Sequence, residues 1–171
     1  MLVKSNKVKK ITRRIKVAMV VADFNRNITA GLERGAHRAL HEAGIADRDV
    51  TVVHVPGSVE IPLAAELLAA SKRYAAVVCL GAVIKGETNH DVYVSRIAAD
   101  GIRSVMLRHR LPVAFGVLTC KTPAQAKARS GPNRHNRGYE AARAALEMVD
   151  VVAALRYNSS AIKKRSIIKF Q

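Results

Sequence analysis

The residues best equipped for chemistry sit in a few short stretches, and the richest is KGETNH at 85–90. Gly86 lets the backbone turn tightly, and Glu87, Thr88 and Asn89 are placed to open a helix. A helix start offers free N–H groups and a partial positive charge, which suits a phosphate. Lys85 stands beside it. His90 follows within the first turn, where an imidazole can exchange protons with a bound substrate. A histidine there serves equally well as an ordinary surface residue. The stretch VPGSVEIP (55–62) sets Ser58 and Glu60 at a second helix start, behind a Pro-Gly turn. Glu60 can accept hydrogen bonds from ring N–H groups, whereas Ser58 needs no ligand if it caps the helix. Phe24 follows a strand and can stack a planar heterocycle or cover the sheet end. Arg129 and Arg137 flank the loop GPNRHN (131–136), which itself holds Arg134 and His135. A guanidinium fork matches two phosphoryl oxygens at once, though a solvated basic patch looks the same in sequence.

These residues need a frame, and the hydrophobic pattern supplies one. Continuous apolar runs at 15–24, 50–55, 75–84 and 111–119 read as strands buried on both faces. Helical spacing fills 28–43, with Gly44 as its stop, then 61–72, a helix opening at 87–89 and continuing to 105, about 122–130, and 137–152. Alternating strands and helices predict an α/β fold: a single-domain, three-layer α/β/α arrangement around a four-stranded parallel sheet, flavodoxin-like. Ligands of such folds sit beyond the carboxyl ends of the strands. Residues 23–27, 55–60, 81–90 and 115–119 are therefore expected on one rim.

Composition narrows the function classes. Of 171 residues, 49% are apolar and 25% charged, which fits one globular core and excludes a disordered chain. No apolar run is long enough to span a membrane. The net charge is +16 because the ends are cationic: seven basic and no acidic residues in 1–16, five basic and none acidic in 156–171. The division expected is a basic extension (1–14), a folded domain (15–155) and a basic tail (156–171). Such ends attract polyanions. Cys79 and Cys120 lack metal or redox spacing and read as buried thiols, which points to the cytoplasm. No CxxC pair, GxSxG elbow, GxGxxG fingerprint or Walker loop occurs. What survives is proton-transfer chemistry on a phosphorylated small molecule beside a planar partner.

VADFN, VPGSVEIP, GAVIKGETNH, FGVLT and QAKARSGPNRHNRGYEAARAALEM, in that order, resemble the lumazine synthase family from about Ile15 to Val152. The resemblance implies condensation of a ribitylaminouracil with 3,4-dihydroxy-2-butanone 4-phosphate, releasing phosphate and water, in riboflavin biosynthesis, with no metal or organic cofactor. It implies that Phe24 stacks the ring. Ser58, Val59 and Glu60 would bind the ribityl-pyrimidine, and backbone groups of Ala82, Val83 and Ile84 would read the pyrimidine edge. Glu87 and Thr88 would meet the phosphate, and His90 would transfer protons. Phe115 and Arg129 would come from the adjacent subunit, Arg129 on the phosphate, with Arg137 and Glu140 as further candidates. The resemblance also implies a homo-oligomer, a pentamer that in some members closes into an icosahedral shell.

Several positions depart from the family pattern. Asp23 replaces an arginine, reversing a charge at the rim. Asn89, Asp91 and Val92 replace proline, phenylalanine and aspartate, and Asn133 and Arg137 replace lysines. These departures leave room for an alternative, a catalytically weakened flavin-binding or shell-forming relative.

Overall fold

The computed structural model describes residues 14–133 and 135–166, with side chains up to Arg156. The elements run β1 (Val17–Ala22), α1 (Arg26–Glu42), β2 (Val50–Val55), α2 (Ile61–Ala70), β3 (Ala76–Ile84), α3 (His90–His109), β4 (Val113–Cys120), α4 (Pro123–Ser130) and α5 (Arg137–Ser166). All strand pairs are parallel, in the order β2-β1-β3-β4. This is the expected α/β fold.

Strand periodicity of two sorts the core into its layers. On β1, Val17, Met19 and Val21 face one side, and Ala18, Val20 and Ala22 the other. The first side packs against α1 and α5 through Leu32, Ala36, Leu40, Ala142 and Leu146. The second packs against α2 and α3 through Ile61, Ala65, Ile102 and Val105. The connection toward β2 thus lies on one face and those toward β3 and β4 on the other, as a single handedness of crossover requires.

Glycines let helices approach without a Cβ in the way. A Cβ on Gly138 of α5 would stand 2.0 Å from the Leu32 carbonyl oxygen of α1. Gly44, at φ +86, ends α1. Its N–H bonds the His41 carbonyl at 2.9 Å, and the Ile45 N–H bonds that of Leu40 at 3.0 Å, a Schellman closure.

Element ends differ from expectation in physically legible ways. β1 is shorter, because Asp23 and Phe24 leave the sheet to turn over β2. Helix α3 begins at His90, so Glu87 and Thr88 precede the helix instead of opening it. Ser58 does not cap α2: Glu60 holds the N-cap position without a side-chain cap, and Pro62 enters the first turn. Thr122 does cap α4, its hydroxyl accepting from the Gln125 N–H at 3.3 Å. Helix α5 runs to Ser166, well past the expected 152 and across the expected start of the basic tail. Residues 1–13 and 167–171 of the cationic ends lie outside the described residues, as does Arg134. No helix among the described residues is long and apolar enough to cross a membrane.

Candidate active site

The strand order reverses between β1 and β3, and a crevice at such a switch point is where ligands of this architecture bind. The loop after β1 is pinned there. The Asp23 N–H donates to Val55 O at 2.8 Å and that of Phe24 to Pro56 O at 2.9 Å. Asn25 takes the left-handed conformation (φ 62), which asparagine tolerates, and its amide donates to Ala82 O at 2.9 Å. The loop is thereby stitched to the ends of both β2 and β3. Phe24 projects outward, 70% exposed, so it is not a core residue covering the sheet end.

Asp23 is answered locally. Its carboxylate lies 3.1 Å from His54 Nδ1 and 3.5 Å from Arg26, which also contacts Glu33 at 3.2 Å. The reversed charge is absorbed by a network across β1, α1 and β2.

Ser58 is buried, with Oγ packed where a Cβ on Gly81 would come within 2.6 Å, so it supports the end of β3. Val59 and Glu60 are exposed beside it. The β1–β3 register ends at Val21–Leu80. Beyond it, β3 continues against β4 alone, through Ala82, Val83 and Ile84. Main-chain groups of alternate residues in a parallel strand face opposite neighbours. Lys85 N bonds β4 at Cys120 O, so Val83 shares that side, while Ile84 presents its N–H and C=O over the end of β1. Those two groups can read the edge of a flat ring stacked near Phe24.

Glu87, Thr88 and His90 are exposed on the same rim. The Thr88 hydroxyl accepts from the His90 N–H at 3.4 Å. Asp91 adds a carboxylate to the first turn of α3, with one oxygen enclosed and unpaired.

The remaining candidates lie elsewhere. Phe115 pairs in register with Cys79, mid-strand on edge strand β4. Five residues separate it from Cys120 at the strand end, about 16 Å at the usual rise. It therefore does not share the rim of its own chain, contrary to the expectation for 115–119, of which only the last residues approach it. Phe115, 44% exposed, instead lines an open cleft of about 410 Å³ with Arg129, Arg137 and Glu140. Arg137 is ion-paired to Glu140. Arg129 donates to Gln125 O of its own helix at 3.0 Å and makes no ion pair among the described residues. Among the described residues, no hydrogen bond or ion pair joins Phe24, Glu87, Thr88 or His90 to Phe115, Arg129, Arg137 or Glu140; the two groups meet only through the β3–β4 backbone, as at Lys85 N–H to Cys120 O. The chain carries two separate clusters: an aromatic ring, strand-end peptide groups and an imidazole on the rim, and two guanidiniums with an aromatic ring beside β4.

Sequence reasoning passed over three residues that build these clusters. Asn25 follows the strand directly, and asparagine's tolerance of positive φ was the available signal. His54 lay hidden as one polar residue in a strand. Asn136, in the middle of the Arg-rich loop, is 1% exposed. Its amide donates to Gly31 O, Ser130 O and Gly131 O at 2.9, 3.0 and 2.8 Å, and its Oδ1 accepts from the Tyr139 N–H at 3.1 Å.

Comparison with known proteins bears on what the clusters are for. The family model described as 6,7-dimethyl-8-ribityllumazine synthase matches residues 14–153. Two similar proteins of that name come from Coxiella burnetii, strains CbuG_Q212 and RSA 493 / Nine Mile phase I. Each is 47% identical over 137 residues, covering 80% of this chain and 91% of the relative. A solved GDP-L-fucose synthetase from Naegleria fowleri covers 95% of this chain and about half (51%) of its own, at 14% identity and a TM-score of 0.35. That score carries no argument about fold or function. The family match spans both clusters and the elements that carry them, and this chain belongs to the 6,7-dimethyl-8-ribityllumazine synthase family.

Proposed function

We propose that this chain is a transferase of riboflavin biosynthesis that condenses 5-amino-6-(D-ribitylamino)uracil with 3,4-dihydroxy-2-butanone 4-phosphate. Phosphate and water leave and 6,7-dimethyl-8-ribityllumazine forms. The observation that carries the reading is the division of the site, whose halves are each incomplete and chemically complementary. The rim of one protomer supplies Phe24 to stack the pyrimidine, Ile84 main-chain groups for its edge, and Ser58, Val59 and Glu60 for the ribityl-pyrimidine. Ala82 and Val83 hold the strand end beneath it. The β4 edge of the next protomer supplies Phe115 and Arg129, with Arg137 and Glu140 at the margin.

Chemically, positioning does most of the work. Holding amine and ketone together converts a bimolecular step into an effectively unimolecular one. His90 moves protons during imine formation and ring closure. Arg129, with the main-chain N–H groups of Glu87 and Thr88 ahead of α3, holds the phosphate as it departs. These steps call on no metal or organic cofactor.

The surface supports a ring of protomers. Leu63, Leu67, Tyr93 and Ile97 are exposed on α2 and α3, and Phe115, Met148 and Val151 on β4 and α5. Two different apolar faces on one chain favour head-to-tail contacts, which close into a ring. A pentamer is the ring that the family resemblance implies. The unpaired thiols suit the cytoplasm, and the cationic ends, residues 1–14 and 156–171, suit loose polyanion binding that salt removes. Incubation of purified protein with both substrates, followed by lumazine absorbance, tests the reading. Product is expected, and its absence from a folded, ring-forming preparation overturns the assignment.

A further inference from the structure

We propose that Arg38, on α1 and outside both half-sites, is a positioning residue for the phosphate-binding cleft; this rests on the reading that the cleft takes the ketone phosphate. Gly131, Pro132 and Asn133 follow the end of α4, which carries Arg129, and lead toward α5, which carries Arg137 and Glu140. The position of this stretch bears on how the cleft's charged groups stand. From behind, the Arg38 guanidinium donates to two successive loop carbonyls, Pro132 O at 2.8 Å and Asn133 O at 3.1 Å.

The guanidinium is itself held. It stacks 4.9 Å from the centroid of the Tyr139 ring, and its Nε lies 4.0 Å from a Glu42 carboxylate oxygen. The other Glu42 oxygen accepts from the Tyr139 hydroxyl at 2.6 Å. Arg38 is thus fixed between α1 and α5 before it reaches the loop, and one side chain relays the α1–α5 packing to the backbone between Arg129 and Arg137. A lysine carries the charge but neither the planar fork nor the stacking.

Steady-state kinetics on the full chain test this with Arg38→Met, Arg38→Lys and, as a reference, Arg129→Met. Inorganic phosphate serves as the inhibitor that probes the cleft. For Arg38→Met, KM for the ketone phosphate and the inhibition constant of phosphate are expected to rise about tenfold, the scale of a lost charge-assisted hydrogen bond. KM for the pyrimidine amine and kcat are expected to stay within about twofold, because misplacement is confined to one half-site. Arg38→Lys is expected to recover only part of the loss, and it carries the test alone if Arg38→Met does not fold. Unchanged phosphate constants in the Arg38 variants, beside weakened ones in Arg129→Met, refute the role of Arg38. So does a parallel rise of both KM values with a fall in melting temperature, which marks a purely structural contact. Unchanged phosphate constants in Arg129→Met refute the assignment of the cleft itself, and the role of Arg38 with it.

Discussion

Replacing Asn136 with alanine is expected to cost the fold about 3–5 kcal/mol, several lost or orphaned buried hydrogen bonds at about 1–3 kcal/mol each. The amide has two N–H groups shared among three carbonyls on α1, the end of α4 and the loop, and its oxygen caps α5 at Tyr139 N. Alanine removes all of these and leaves the buried Ser130 carbonyl and the part-buried Gly131 carbonyl without that donor. Loss of the cap alone is worth about 1 kcal/mol. Against a usual stability of about 5–15 kcal/mol, the total is a large fraction. Asn136→Asp separates donor from acceptor. It keeps the cap oxygen but turns a second oxygen toward three carbonyls, so it is expected to be at least as damaging as alanine. Urea unfolding at fixed protein concentration measures both, with a midpoint shift at constant slope as the expected signature. A loss below about 1 kcal/mol for alanine, or rescue by aspartate, refutes the assignment of Asn136 as the donor that joins α1, α4 and α5.

Three further outcomes follow from the same packing and chemistry. Gly138→Ala is expected to cost about 3 kcal/mol, at the upper end of overpacking, because backbone cannot yield to its Cβ; chemical denaturation checks it. Arg14 holds Asp49 below the ordinary carboxylate range, chiefly by a side-chain hydrogen bond. Its folded pKa is depressed, so its stabilisation is present above about pH 4 and is lost as pH falls through the folded value. Denaturation of the protein and of Asp49→Asn between pH 3 and 7 should show their difference narrowing on acidification. Phe24→Ala is expected to raise KM for the pyrimidine amine about tenfold or more, the scale of one stacked base, with little effect on the ketone phosphate; initial-rate kinetics decide it.

Much of the fold was legible because its strands are buried on both faces. Val17–Ala22 and Ala76–Ile84 read as apolar runs whatever their neighbours, and Gly44 marks a helix end by its backbone alone. Helix starts were harder. Ser58 looks like a cap in sequence, yet its hydroxyl turns under Gly81, a contact made by a strand more than twenty residues away. The site residues on the rim could be located from strand ends, since Phe24 lies two residues past β1 and His90 six past β3. Phe115 was placed there wrongly although its own strand bounds, five residues short of Cys120, put it below the strand end; what those bounds could not show is the cleft it faces with Arg129 and Arg137. Asn136 and Arg38 were invisible for a related reason. Both are polar residues whose work is done against carbonyls on other elements, and no local spacing reports that. The departure at Asp23 looked damaging in isolation, and only the fold shows His54 and Arg26 meeting it.

The central claim, that neighbouring protomers complete each other's site, is tested most directly by mixing two impaired variants at a ketone phosphate concentration too low for Arg129→Met alone to turn over appreciably. His90→Ala spoils the rim half and Arg129→Met the cleft half. If sites form between protomers, random co-assembly leaves about a quarter of the interfaces with both native halves. Lumazine formation in equimolar, dissociated and reassembled protein is therefore expected to recover to about a quarter of the native rate. A mixture no more active than its two components would contradict a shared site and place His90 and Arg129 in service of the same chain.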